Sequence, residues 1–206
     1  RLYPQGSAEK GSGVDSEQFF SDQTPLSISL KASVKSLKRD TNDSTYLEGN
    51  LRFSPEEGTS DSIDLRVRAR RNFRKTQCYF APLTLKFRKS DIEGTLFEGN
   101  KELKLVLPCQ IGSSSDDLVL KEFLAYKLYE IFSPYHYHTR LVYMDFTEVK
   151  GKRDRQHDLL GILLEDHGTL VVRTGIEVCG RALDCKQSEL TRAGATANRR
   201  LQHIAS

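Results

Sequence analysis

Three arginines recur at every second position in the most regular alternating stretch of the chain. The apolar residues between them are Ile63, Leu65, Val67 and Ala69. Because successive side chains of a strand point to opposite faces, Arg66, Arg68 and Arg70 are predicted to form a ladder on one face. Their positive fields add, and such a ladder can bind an anionic partner.

The basic character continues beyond the ladder into Arg71, Arg74 and Lys75, with Phe73 among them. Guanidinium groups so close together can neutralise phosphates, and an exposed aromatic ring can stack on a ligand. The alternative is a solvated strand face whose charges discourage edge-to-edge aggregation. No second basic element or RNA-binding signature accompanies the cluster, which argues against nucleic acid as the partner.

Two histidines, His136 and His138, alternate as ligands on a strand would. Imidazole suits zinc or copper, but a metal site needs a third ligand that this spacing does not identify, and the alternative is a pair of surface histidines. The sequence contains no GxSxG, HExxH, GxxxxGK[ST] or GxGxxG motif. The common signatures of hydrolases, metalloproteases and nucleotide-binding proteins are therefore absent.

Four cysteines, at Cys78, Cys109, Cys179 and Cys185, include no CxxC pair. This spacing argues against a four-thiolate zinc site. Cys78 and Cys109 each lie next to a predicted core strand, and we expect them to form a disulfide in an oxidised protein.

Alternating apolar residues predict a sheet. The predicted strands are Leu26 to Val34, Tyr46 to Phe53, Ile63 to Ala69, Leu83 to Phe87, Lys101 to Leu107, Leu141 to Val149 and Leu159 to Leu164. The segment Thr169 to Thr174 is compatible with either a strand or a helix.

One strongly helical segment follows the Ser/Asp-rich turn at Ser113 to Asp117, which can cap its first turn. Apolar residues then recur at intervals of three and four and are predicted to pack on the sheet: Leu120, Phe123, Leu124, Leu128 and Ile131. Glu122 lies nearly opposite Leu120 and Ile131. It is either an exposed glutamate or a carboxylate that reaches into a cleft to orient a strand lysine, as in kinase folds.

Composition favours one core. The chain has 206 residues, of which 37% are hydrophobic, and its net charge of +3 comes from 31 basic and 28 acidic residues. This balance does not by itself indicate a nucleic-acid partner, and no apolar run reaches the roughly 18 residues of a membrane span. We predict a disordered segment at 1–24, one domain at 25–178 and a poorly ordered tail at 179–206. The fold class is α+β, with a mostly antiparallel sheet of about five to seven strands and one main helix at about 117–132.

Several segments together resemble the N-terminal lobe of spore-coat-H (CotH) kinase-like proteins, nearest an uncharacterised, often exported bacterial branch. They are RVRARRNFRK, PLTLKF, GTLFEGNKELKLV, LVLKEFLAYKLYEIF and LLGILLED. The family's Arg-Gly-Asn turn, basic-apolar strand, EKLAYDLF-like helix and GLYLLVE-like strand resemble, in order, Arg70 to Phe73, Pro82 to Phe87, Glu122 to Leu128 and Gly161 to Glu165. The resemblance covers roughly Leu26 to Glu177.

The resemblance implies a fold like a kinase N-lobe, with Lys86 contacting a nucleotide and Glu122 as its helix partner. Arg70, Asn72 and Phe73 would lie in the turn near the phosphates. Arg71 replaces the glycine of that turn, where a close approach of backbone to phosphate favours glycine. The resemblance also implies export or a periplasmic location.

Two functions follow as hypotheses. The first is an incomplete CotH-kinase-like protein of unknown substrate, without phosphotransfer activity alone because the family's catalytic and metal-binding lobe is missing; ATP and magnesium would bind only if that lobe were present. The second is a non-catalytic, β-rich binding or structural module that contacts an anionic partner through the arginine ladder. The anion-binding residues would be Arg66, Arg68, Arg70, Arg71 and Arg74.

Overall fold

Seven strands form one sheet that closes into a barrel, and helices cover parts of its outside and its ends. The computed structural model describes residues 14–54, 58–70, 72–112, 114–151 and 153–175. The strands are β1 (Leu26–Ala32), β2 (Leu47–Ser54), β3 (Asp61–Ala69), β4 (Leu83–Phe87), β5 (Glu102–Val106), β6 (Thr139–Glu148) and β7 (Arg155–Glu165). The helices are α1 (Val14–Ser21), α2 (Val34–Asp40), α3 (Asn72–Gln77), α4 (Lys89–Ile92), α5 (Ser114–Phe132) and α6 (His167–Thr174).

The strand order around the barrel is β1-β2-β3-β4-β5-β7-β6. Six of the seven pairings are antiparallel, and the parallel pairing of β1 with β6 closes the ring, from Leu26 opposite Val142 to Ala32 opposite Glu148. The prediction of an α+β fold with a mostly antiparallel sheet is confirmed. Closure of the sheet was not predicted.

Alternation along each strand sends one set of side chains into the barrel. The buried interior set includes Leu30, Leu51, Leu65, Leu85, Val142 and Leu163. A barrel of about eight strands is just wide enough for side chains to fill it, and apolar side chains fill this one in the same way. The outer face of each strand is therefore left to bind solvent, helices or ligands.

Helix α1 closes the end of the barrel where β1 begins. Phe19 is buried there against Phe97, and Arg140, which points inward from β6, donates hydrogen bonds to the carbonyls of Phe19 and Thr24 and to the carboxylate of Asp22. Burial lowers the pKa of Arg140, and Asp22 opposes that change. The prediction of disorder over 1–24 is therefore wrong for Val14–Ser21; residues 1–13 lie outside the described residues.

A hydrogen-bonded cluster closes the opposite end of the barrel. The buried Glu148 carboxylate accepts hydrogen bonds from His157 Nε2 (2.9 Å) and from the hydroxyl of Tyr79 (2.7 Å). Lys150 Nζ donates to the same tyrosine oxygen at 2.7 Å. Burial alone would raise the pKa of Glu148, but the hydrogen bonds from His157, Tyr79 and Lys150 outweigh it and lower that pKa.

A disulfide joins Cys78 and Cys109 next to this cluster, with their α-carbons 4.5 Å apart. That distance lies within the roughly 7 Å that a disulfide allows. The backbone N–H of Tyr79 donates to the carbonyl of Cys109 at 2.7 Å, so the bridge also fixes the backbone that carries Tyr79. Cys179 and Cys185 lie outside the described residues, as does the whole of the predicted tail at 179–206.

Two local predictions need correction. The first strand ends at Ala32, because Ser33 caps α2 by accepting a hydrogen bond from the N–H of Ser36, and Val34 becomes the first residue of that helix. The segment Thr169 to Thr174, which was left open, belongs to α6.

The predicted packing face of α5 is also wrong in large part. Val119 packs against the outward residues Leu160 and Ile162 of β7, with Phe123 and Tyr126 beside it. By contrast, Leu124 and the other apolar residues of the predicted face except Phe123 are exposed. Because apolar residues occur on every side of α5, its hydrophobic period could not determine which side contacts the barrel.

The described residues from Val14 to Thr174 belong to one compact unit. Within the described part of the chain, no helix is both long enough and apolar enough to cross a membrane.

Gly161 tests how tightly the barrel interior is packed. A β-carbon at this position would lie 3.0 Å from Val142 Cγ2 and 3.1 Å from the carbonyl oxygen of Val106. Gly161→Ala is therefore expected to lower the free energy of unfolding by about 1–3 kcal/mol through overpacking. Gly49→Ala is the matched control, since a β-carbon at this position would lie 3.5 Å from its nearest neighbour, Val67 Cγ2. This substitution should leave the free energy of unfolding unchanged or slightly higher. Equal losses in urea unfolding would contradict the proposed crowding.

Glu148 gives the fold a defined pH dependence. Because its pKa is lowered in the folded state, its carboxylate stabilises the fold above the unfolded pKa of about 4.3, and this contribution is lost as the pH falls through the folded value. Glu148→Gln is expected to lower the free energy of unfolding by about 1–3 kcal/mol at pH 7 and by less at pH 3. Glu93→Gln, at an exposed position, is the control and should have little effect at either pH. A difference between wild type and Glu148→Gln that does not depend on pH would refute this role of the carboxylate.

Candidate anion-binding face

Three cationic side chains surround the ring of Tyr46, just before β2. The guanidinium carbons of Arg66 and Arg68 and the ammonium of Lys86 lie 5.6, 5.5 and 5.6 Å from the ring centroid. The Tyr46 hydroxyl also accepts a hydrogen bond from Arg68 Nε at 3.1 Å. We call Tyr46, Arg66, Arg68 and Lys86 the Tyr46 cluster.

Strand register explains why these side chains meet. Arg66 of β3 lies opposite Lys86 of β4, and both point outward because Leu65 and Leu85 point into the barrel. The acidic residues that continue this row, Glu48 on β2 and Glu102 on β5, lie at its two ends. The positive charge is therefore concentrated in the middle of the face.

Ion pairing leaves much of this charge uncompensated. Arg68 pairs with Asp43 at 2.9 Å, but the Asp43 side chain is fully exposed, and such a pair contributes little. In the described part of the chain, neither Arg66 nor Lys86 lies within 4.0 Å of a carboxylate. Their contacts with the tyrosine ring hold both cations in place while leaving their charge available.

The next row of outward side chains on the same strands carries further positive charge. Thr84 lies between Arg68 on β3 and Lys104 on β5. The Thr84 hydroxyl is fully buried and has no hydrogen-bond partner among the residues that the structure describes. A buried polar group without a partner is energetically unfavourable.

Lys104 is a buried cation with weak compensation. Its ammonium lies 4.7 Å from the ring centroid of Tyr137 and 3.9 Å from Asp166 Oδ1. Burial lowers the pKa of Lys104, although Asp166 opposes that change. A bound anion would stabilise the charged form of this side chain. Together with the Tyr46 cluster, Thr84 and Lys104 make up what we call the cationic face.

The other residues of the predicted basic cluster occupy the edge of this face. Arg70 follows β3 directly, is half-buried, and its backbone N–H donates to the carbonyl of Pro82. Asn72 begins α3, whose Phe73 is 75% exposed and whose Arg74 is half-buried. Arg71 lies outside the described residues.

The predicted ion pair between Lys86 and Glu122 is not formed. Lys86 lies over Tyr46, on the β3 side of β4, whereas α5 carries Glu122 along β6 and β7. No salt bridge joins the two residues, both of which are described. The lysine–glutamate pair on which a kinase-like nucleotide site would depend is therefore absent.

The histidine pair lies in a different region, beside an open cleft of about 780 Å³ that is lined by α1, α5 and α6. The rings of His136 and His138 are 5.3 Å apart, and neither is fully exposed. Burial lowers the pKa of His138, whose buried Nδ1 has no hydrogen-bond partner. Among the residues described, no group of three or more histidine, cysteine or carboxylate side chains is arranged to hold a metal ion.

Sequence reasoning identified the arginines but not the residues that complete the face. Tyr46 was assigned only to a strand, and Thr84, Lys104 and the role of Lys86 beside the arginines were missed. The alternation of β4 and β5 contained the necessary signal, since it places Thr84, Lys86 and Lys104 opposite the apolar residues of those strands.

Comparison with known proteins identifies no relative. No protein-family model matches the chain, and neither a curated protein nor a solved structure matches it.

Proposed function

We propose that this chain is a non-catalytic binding module that holds an anionic group of its partner on the cationic face. The observation that carries the proposal is the Tyr46 cluster, in which three cations surround one aromatic ring. Two of these cations, Arg66 and Lys86, form no ion pair with a described residue. The closed barrel supplies a rigid support for such a site, since both strands that carry the cations are paired on both sides.

Electrostatics gives the reason for binding. Two unit charges about 10 Å apart repel each other by roughly 0.4–1.7 kcal/mol, depending on the effective dielectric constant. Cation–π contacts with Tyr46 offset part of this repulsion in the free protein. An anion placed among Arg66, Arg68 and Lys86 would attract all three cations and offset the remaining repulsion between them.

The chemistry of the face favours a phosphate, sulfate or carboxylate group. A guanidinium presents parallel N–H donors that match two oxygens of such a group, and Lys86 adds a point charge. The ammonium of Lys104 offers a second position along the same sheet face. A ligand with several anionic groups would engage both positions.

The relation to CotH kinase-like proteins is a separate proposal, supported by the order of the motif segments along the chain. It predicts no phosphotransfer by this chain alone. Lys86 and Glu122, which are both described, form no salt bridge, so the lysine–glutamate pair that would orient a nucleotide is absent. The disulfide between Cys78 and Cys109 supports placing the protein in an oxidising compartment, where such bonds persist.

Removing the clustered charges tests the proposed function. The triple substitution Arg66→Gln, Arg68→Gln and Lys86→Gln is expected to weaken binding to heparin or polyphosphate more than tenfold and to reduce its salt dependence by about one unit of slope per cation. Fluorescence anisotropy at several salt concentrations measures both quantities. The matched control replaces the exposed Lys35, Lys89 and Lys121 by glutamine, which changes the net charge equally. Equal losses in both variants, or no loss in the first, would refute a specific site.

Tyr46 provides a test that leaves the net charge unchanged. Tyr46→Leu removes the ring that gathers the three cations and is expected to weaken polyanion binding about fivefold, the equivalent of about 1 kcal/mol of cation–π interaction. Tyr46→Phe keeps the ring and loses only the hydroxyl that accepts from Arg68, so it should bind nearly as wild type does. Unchanged affinity in Tyr46→Leu would mean that the ring does not organise the site.

A further inference from the structure

Helix α5 exposes a large apolar surface on the side away from the barrel. Its members are Leu118, Leu120, Leu124, Leu128, Tyr129, Ile131 and Phe132, which are between 44% and 81% exposed. At about 100° per residue they extend over roughly half of the helix circumference. We call these seven residues the outer face of α5.

The opposite side of the same helix makes the contacts that hold it on the barrel. Val119 is buried against β7, with Phe123 and Tyr126 beside it, so the outer face is not needed for folding of the described domain. A helix that is apolar on all sides is normally covered on all sides. The described residues leave the outer face largely uncovered.

The size of the outer face matches that of a protein interface. At their observed exposures, seven side chains of roughly 150–200 Å² each present about 700 Å², close to the roughly 800 Å² that each partner buries in a standard interface. Monomeric proteins rarely expose apolar patches larger than a few hundred Å².

We propose that the outer face of α5 binds the same face of a second copy of this chain. Leu120, Leu124, Leu128 and Phe132 are spaced by four residues and form one continuous ridge. Ridges of this spacing interdigitate with each other in the commonest class of helix packing, so the ridge is complementary to itself. A two-fold axis between Leu124 and Leu128 would place each of these leucines against the other in the partner.

The charges on the outer face favour an antiparallel arrangement. By helical spacing, Asp117 and Lys121 lie on this side of α5 near its N-terminal end, and both are exposed. A parallel pair would bring the two Asp117 carboxylates together and would do the same with the two Lys121 ammonium groups. An antiparallel pair moves them to opposite edges of the interface and leaves the centre apolar, as in dimer interfaces generally.

The oligomeric state of the full chain tests this proposal. Sedimentation velocity from about 1 to about 100 µM is expected to show a monomer–dimer equilibrium for the wild type. Leu124→Asp combined with Leu128→Asp should weaken dimerisation at least 100-fold, since it buries four carboxylates at the centre of the interface. Both positions are exposed in the isolated chain, so the variant should keep the circular dichroism spectrum and thermal midpoint of the wild type.

Val172→Asp is the matched control, because Val172 is 79% exposed on α6, outside the outer face. It should dimerise as the wild type does. A folded wild type that remains monomeric at about 100 µM would overturn self-association and leave the outer face to a different protein. A double variant that dimerises normally would overturn the assignment to α5. Neither result depends on anion binding, because the cationic face lies on other elements.

Discussion

The parallel pairing of β1 with β6 is the constraint on which this structure depends. It joins the first strand to the sixth across seven matched positions and turns a sheet with two free edges into a closed ring. Closure removes the unpaired edge groups that promote aggregation and separates every strand into an inner and an outer row of side chains. Because the inner rows fill the barrel with apolar residues, polar side chains have places only outside the barrel or at its two ends.

The outside of the barrel has two regions, one that packs against a helix and one that carries positive charge. Helix α5 packs on β6 and β7. The outward residues Leu160, Ile162 and Leu164 of β7 are apolar and buried. Strands β3 and β4 carry outward cations, with Tyr46 from the neighbouring segment as their common contact. The outward side chains of each strand determine which of these applies. Outward leucines must be covered by a helix, whereas outward arginines remain available to a ligand.

Alternation predicted more of this structure than any other signal. The strict pattern from Ile63 to Ala69 predicted that Arg66 and Arg68 point outward, and they do. Strand β3 is paired on both sides, which keeps its alternation regular. Barrel closure could not be predicted in the same way, since any two alternating strands are equally compatible partners in a single sequence. The orientation of α5 was predicted wrongly for a related reason. Apolar residues occur on every side of this helix, so its hydrophobic period does not distinguish Val119 from Leu124. Tyr46 was missed because its role depends on cations that arrive from other strands.

Arg140 has a consequence for where the folding unit begins. Its guanidinium lies inside the mouth of the barrel, and the groups that compensate it belong to Phe19, Asp22 and Thr24, all of which precede the first strand. Proteolysis just before Leu26 would therefore do more than shorten the chain, because it would leave a buried positive charge without its acceptors and expose Phe97 to water. The smallest unit that can fold on its own thus includes α1, because this helix closes one end of the barrel.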